Sequence, residues 1–303
     1  MAAPVRIGTC SWADDALTRH WYPPGTPAQA RLAYYAERYS SVEVDSTYYR
    51  VPTEQMVRGW AERTPDGFVV HVKAFGLMTR HPVRIEQVPP DLRDGLPVDH
   101  RGRVDRPPRE LRGLVFDAFL DALEPLREAG KLGGILFQLP PYVTWKPSSL
   151  DYLEWANERL RGLRMLVEPR HRSWFAEDVR AELLRWLEER RLSWVVVDAP
   201  KVDAGNVPAT LVAVTSPLAY VRFHGRNAAT WNVRGGSAAE RFDYLYSAEE
   251  LREWVEPLRE LSGEAEEVYA FFNNNNQTNG VAQGPAGADL LRKILDEEHV
   301  PTA

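Results

Sequence analysis

Along the 303-residue chain the spacing of apolar positions switches repeatedly between two periods, and each switch marks a change of element. Eight short runs rich in Val, Ile or Phe read as strands: Arg6 to Cys10, Val42 to Ser46, Phe68 to Ala74, Gly134 to Leu139, Met165 to Glu168, Trp194 to Asp198, Tyr220 to His224 and Val268 to Asn273. Between most of them apolar residues recur at helical spacing, as at Leu32, Tyr35, Ala36 and Tyr39, and at Leu111, Val115, Phe119, Ala122 and Leu126. The pattern returns at Val179, Leu183, Trp186 and Leu187, and at Leu251, Trp254, Val255 and Leu258, where Ser247 and Glu250 have capping-box spacing. Alternating strands and helices predict a parallel sheet, and a count of eight favours closure over an open doubly wound sheet. No glycine fingerprint follows the first strand, which weighs against a dinucleotide-binding sheet. The expected fold class is α/β: a single (β/α)8 TIM-type barrel over residues 1–303, with extended loops after strands 3, 6 and 7. Those loops run from Gly76 to Arg106, Ala199 to Pro217 and Gly225 to Tyr246. Loops after strands build the C-terminal face of a barrel, so the insertions predict a lid or a shaped pocket. The insertion at about 76–106 carries Arg80, Arg84, Arg101, Arg103 and Arg106, charges that a solvated surface loop would also tolerate.

Neighbouring side chains on a strand point to opposite faces, so each run divides into a helix-facing and a barrel-facing set. With Val42 and Val44 toward the helices, Glu43 and Asp45 face inward; Val70 and Val72 leave His71 and Lys73; Ile135 and Phe137 leave Gln138. Met165 and Val167 leave Glu168, Val195 and Val197 leave Asp198, Val221 and Phe223 leave Arg222 and His224, and Phe272 leaves Asn273. Seven strands are thus expected to aim polar groups inward. A barrel interior built for stability alone is filled with branched aliphatics, so a polar layer needs mutual pairing or a ligand. Lys73, Arg222 and Arg170 could neutralise Glu43, Asp45, Glu168 and Asp198 as an internal network. Because such networks stabilise weakly and strand-end polar clusters commonly form sites, the functional reading is preferred.

In that reading Glu168, Asp198, His224 and Asp45 are the catalytic candidates, as acids and bases whose ionisation neighbours tune. Glu43, Lys73, Gln138, Arg170, Arg222 and Asn273 are expected to bind substrate, and Trp12 and Tyr48 to stack on a sugar or base, although core packing explains aromatics equally well. A divalent metal would draw on Glu43, His71, Glu168, Asp198 and His224, but Lys73 and Arg222 among them oppose a dication, so neither a metal nor a cofactor is expected. Cys10 could serve as a nucleophile with a base beside it; a buried small hydrophobe is the commoner role. A glycosidase would need two carboxyl groups across the scissile bond; strands four and seven carry none at their ends. The formal charge of −6 would repel a phosphate backbone, so nucleic acid would need a local basic groove. The single cysteine, the lack of a signal-like start and the lack of a long apolar run lead to the expectation of a cytoplasmic protein without membrane contact.

Six ordered segments resemble one family, the domain of unknown function 72 or YecE-like proteins. They are Ile7 to Trp12, Val42 to Tyr49, Phe137 to Pro141, Glu168 to Trp174, Tyr220 to Arg226 and Phe271 to Asn274, and together they span nearly the whole chain. The resemblance implies a TIM-type barrel similar in outline to the xylose-isomerase and endonuclease-four-like barrels, and it implies no established activity. Histidines at the strand ends are too few for the three-metal cluster of the endonuclease-like relatives, which argues against metal-dependent phosphodiester cleavage. The expected function is an enzyme acting on a small phosphorylated or polyhydroxylated substrate. The alternatives are a non-catalytic binding protein for an anionic metabolite or a nucleic-acid end, and a metal-dependent phosphodiesterase or isomerase.

Overall fold

A computed structural model describes residues 2–200, 210–231 and 238–303. Eight parallel strands form the sheet: β1 Val5–Thr9, β2 Ser41–Val44, β3 Val69–Lys73, β4 Leu132–Gln138, β5 Met165–Glu168, β6 Ser193–Asp198, β7 Leu218–Phe223 and β8 Glu267–Phe272. Their order is β1-β8-β7-β6-β5-β4-β3-β2, which bends the sheet round until β1 and β2 face each other in a nearly closed barrel. The longer helices pack outside it: α1 Ala28–Ala36, α2 Glu54–Glu62, α3 Arg109–Ala122, α4 Pro147–Arg159, α5 Glu177–Glu189, α6 Val255–Glu264 and α7 Gln283–Glu297. The capping box forms as its spacing predicts, with Ser247 N–H donating to Glu250 Oε2 at 2.9 Å and Glu250 N–H to Ser247 Oγ at 3.3 Å. The helix it starts stops at Arg252 and resumes at Val255, because Pro257 has no N–H to bond the carbonyl four residues back.

Two apolar layers result. Val42, Val44, Val70, Val72, Ile135, Phe137, Met165, Val167, Val221 and Phe223 meet the helices, while Leu136, Leu166, Val195, Val197, Tyr220, Tyr269 and Phe271 fill the lower barrel.

Between β1 and β2 no ladder forms, and a tyrosine takes its place. The Tyr35 hydroxyl accepts from Thr9 N–H at 2.8 Å and donates to the Ser41 carbonyl at 3.3 Å, bridging the seam from α1. Gly8 lets the strands approach there, since a Cβ on it would lie 2.5 Å from the Ser41 carbonyl oxygen. Tyr35→Phe strips both buried backbone groups of their partner, and each orphaned group costs about 1–3 kcal/mol. The expected result is an unfolding free energy lowered by that order, read as a lower urea midpoint with an unchanged slope; an unaltered midpoint would show that the seam does not depend on this hydroxyl.

The arginine-rich insertion is more than a solvated loop. Val83, Val88, Leu96 and Val104 are buried, and Asp99 gathers Arg101 N–H and Arg103 N–H at 2.8 and 2.9 Å. The loops after β6 and β7 lie partly outside the described residues. No helix among the described residues is long and apolar enough to cross a membrane.

Candidate functional site

Alternation along β7 stacks Tyr220, Arg222 and then, just past the strand, His224 inside the barrel. Arg222 is fully buried, a placement that a guanidinium tolerates only with its charge compensated. Glu43 compensates it bidentately, Nε to Oε2 at 2.9 Å and Nη2 to Oε1 at 2.7 Å, and Tyr220 OH donates to Glu43 Oε2 at 2.8 Å. On its other side Arg222 Nη1 donates to Glu168 Oε2 at 2.6 Å. Two carboxylates on one cation leave an excess negative charge. Arg170 supplies the balance: Pro169 ends β5, and the Arg170 side chain returns to Glu168 Oε1 at 2.9 Å while its guanidinium lies 4.8 Å from the Trp231 ring centroid.

Glu168 Oε1 also accepts from Gln138 Nε2 at 2.9 Å and from His224 Nε2 at 3.0 Å. Burial alone would raise the affinity of Glu168 for a proton, but Arg222, His224 and Arg170 outweigh it and hold the carboxyl well below its usual range. Burial pushes His224 down to about 3, so its ring is neutral. Since the Glu168 carboxylate can only accept, the proton is assigned to Nε2, and Nδ1 then accepts from Asn273 Nδ2 at 3.1 Å. Phe242 stacks on the ring with centroids 4.9 Å apart. Glu43, Glu168, Arg170, Arg222, His224, Asn273 and Gln138 thus form one connected floor.

Below it His71 sits edge-on to Tyr220, Tyr269 and Phe271, and burial pushes it down to about 3. Both ring nitrogens lack hydrogen-bond partners. Cys10 is buried beside the floor, its sulfur 3.6 Å from Arg222 Nη2. Burial, reinforced by Glu43, raises the thiol well above its ordinary value, which leaves it protonated and a poor nucleophile.

Above the floor, Asp45, Lys73 and Tyr48 line the partly open mouth. Asp45 follows β2 and precedes the turn Ser46–Tyr48 without capping it, and its carboxyl accepts from the Asn275 side chain instead. Burial raises this group to about 6, against the opposing pull of Lys73. Burial and then Arg222 lower Lys73, whose Nζ lies 4.8 Å from the Tyr48 ring centroid. An acid and an ammonium are thereby both moved toward neutrality.

Two expected members lie elsewhere. Asp198 does not face the barrel: it is in register with Phe223, an outer-layer residue, while Val197 is in register with Arg222. Its carboxylate instead accepts from Arg226 Nε at 3.0 and 3.2 Å and from the Tyr246 hydroxyl, tying β6 to the loop after β7. The polar contribution therefore comes from six strands, β2, β3, β4, β5, β7 and β8. Trp12 packs on the outer core, edge-on to Trp60 at 5.7 Å. Of the residues weighed for a metal, Glu43, Glu168 and His224 stand in the floor around Arg222 while His71 lies below it and Asp198 outside the barrel, and no group of three or more His, Cys, Asp or Glu among the described residues is placed to hold a metal. The structure also adds residues. Tyr220 shares the parity of Arg222 and was readable from it; His81 and Phe242 sit on loops, where no period marks them.

A parallel barrel whose interior turns from apolar rings below to a paired, charged floor under an acid and an ammonium defines a class of barrel with a built polar centre. The chain belongs to the family described as "Protein of unknown function DUF72", which matches residues 6–302. It is 30% identical to UPF0759 protein YunF of Bacillus subtilis over 95% of this chain and 94% of that one. It is also similar to crystal structures of DUF72 family proteins from Enterococcus faecalis, at 26% identity and TM-score 0.76 with 96% and 95% of the two chains covered, and from Thermotoga maritima, at 29% and 0.75 with 97% and 99% covered.

Proposed function

We propose that the protein is an enzyme that moves a proton on a small polyhydroxylated or anionic substrate held in the barrel mouth. The observation that carries this reading is the Asp45 and Lys73 pair. A carboxyl poised at about 6 is matched to proton transfer near neutral pH, and a neighbouring ammonium at the same mouth stabilises negative charge that develops on a substrate oxygen. Glu168, first expected to act as acid or base, serves instead as the anchor of the floor, because four donors occupy its oxygens. His224 orients Asn273 and Glu168, and Arg170, Arg222, Glu43 and Gln138 hold the frame rigid. Among the described mouth residues Asp45 is the carboxyl free of an ion pair, which favours single-site proton transfer over a two-carboxylate glycosidase mechanism. The test is a proton NMR screen of the full chain against aldoses, ketoses, sugar acids and their phosphates. Conversion or solvent exchange is expected with an acidic limb near pH 6, reduced at least a hundredfold in Asp45→Asn and at least tenfold in Lys73→Met. Full turnover in both variants would remove the assignment.

A further inference from the structure

On the side of the insertion a second cavity, of about 680 Å³, lies beside the mouth, in the size range that encloses small ligands. It opens between the insertion and the first turns of α3 and α4. Five cations line it, Arg80, Arg106, Arg109, Arg112 and Lys146, against two carboxylates. Arg106 reaches Asp105 at 3.8 Å and Arg109 pairs with Asp151. Arg80, Arg112 and Lys146 have no ion pair among the described residues.

Arg112 is decisive. It is only 9% exposed, yet its Nε finds no hydrogen-bond partner. Its guanidinium and that of Arg80 each stand 5.3 Å from the ring centroid of Tyr152, whose hydroxyl donates to the Met78 carbonyl at 2.5 Å and accepts from Arg112, a neutral partner that leaves the charge uncompensated. A buried guanidinium without a counter-charge is unfavourable until an anion completes it. The helix starts add to the same field. Pro108 and Lys146 precede α3 and α4, and neither helix has a side-chain cap, so unpaired N–H groups and the positive ends of two helix dipoles border the cavity. Arg80 holds its place at φ 69°, in the left-handed region that L side chains rarely adopt.

We propose that this cavity is a phosphate site that takes the phosphate monoester of a small metabolite, with Arg112 and Arg80 on the phosphate oxygens and Lys146 at the rim. Nothing in this assignment rests on the chemistry proposed for the mouth. His81 stands on the wall between the two, lining the cavity while burial and the nearby Lys73 and Arg170 push it down to about 3.

The experiment is calorimetric titration of the full chain with inorganic phosphate and with a hexose monophosphate, in chloride of constant ionic strength. One saturable equivalent is expected, weakened at least tenfold in Arg112→Met and several-fold in Lys146→Met, and unchanged in Lys293→Met, an exposed lysine outside both the cavity and the mouth. Arg80→Met, at a more open position, gives the same reading should the Arg112 variant fail to fold. No saturable binding in the wild-type chain would overturn the proposal. So would loss in Lys73→Met with retention in the Arg112, Arg80 and Lys146 variants, which would put the anion in the mouth. A 5′-phosphorylated oligonucleotide that binds far more tightly than the hexose monophosphate, and loses affinity in the same variants, would overturn the assignment to a small ligand.

Discussion

Arg222→Met is expected to destabilise the protein by about 3–5 kcal/mol at pH 7, a large share of the roughly 5–15 kcal/mol that holds an ordinary domain together. The loss is not that of one ion pair. A single guanidinium bridges Glu43 and Glu168, and methionine, which replaces only its aliphatic stem, leaves both carboxylates buried without it. The pH dependence supplies a sign that mere loss of packing would not reproduce. In the wild-type chain Glu168 is held below its ordinary 4.5, so its stabilising contribution is present above that value and is lost as pH falls through the lower folded one. Arg222 is the largest of the charges that hold it down. Without Arg222, burial dominates and Glu168 takes up its proton at higher pH, so the deficit should shrink between pH 7 and pH 5. Urea unfolding of the variant at both pH values checks this. Arg222→Met combined with Glu43→Gln and Glu168→Gln should recover part of the loss, because it removes the uncompensated charges. A cost below about 1 kcal/mol at pH 7, equal at pH 5, would mean that the floor is not one charge-balanced unit.

How much of this centre was legible depended on whether a strand carried contrast between its faces. β2 reads Ser-Val-Glu-Val and β3 Val-Val-His-Val-Lys; Val42, Val44, Val70 and Val72 declare the outer face, leaving Glu43, His71 and Lys73 inside, with Val69 below them on the inner side. β6 reads Ser-Trp-Val-Val-Val-Asp and is buried along its whole length. A strand apolar on both faces has no internal marker of parity, so placing Asp198 inward amounted to assuming that a carboxylate must face the other polar groups. Register settles it, because Val197 lies beside Arg222 and Asp198 beside Phe223. Roles were less legible than positions. Counting charges identifies carboxylates and cations, but only distances tell that Glu168 receives four donors while Asp45 is left with its ionisation poised. The phosphate cavity was illegible for a different reason. Arg80, Arg112 and Lys146 come from an insertion and two helix starts, and no periodicity links positions so far apart in the chain. In the sequence the arginines of the insertion are indistinguishable from solvated charge, and only the buried valines beneath them show that the segment has a fixed shape.

Asp45→Asn should move stability and activity in opposite directions. A carboxyl whose pKa rises from 3.8 to about 6 on folding binds its proton more tightly in the folded than in the unfolded chain. Stability from such a group is fully present below 3.8, falls as pH rises toward 6, and stays at the lower level above it. At neutral pH the wild-type chain therefore carries an opposing contribution of about 2–3 kcal/mol by linkage, reduced to about 1–2 kcal/mol because the mouth is partly open to water. Asparagine keeps the shape and an oxygen to accept from Asn275 while removing the charge, so the variant should be more stable than wild type by that amount above pH 6 and no more stable below pH 4. Parallel urea titrations between pH 4 and pH 8 measure the difference. A residue kept at such a cost to stability is one retained for its chemistry, and the same substitution should abolish the proton transfer proposed for the mouth. If Asp45→Asn instead weakened the fold at pH 7, the carboxylate would be a structural partner of Lys73. The mouth would then be an extension of the floor rather than the place where a substrate reacts.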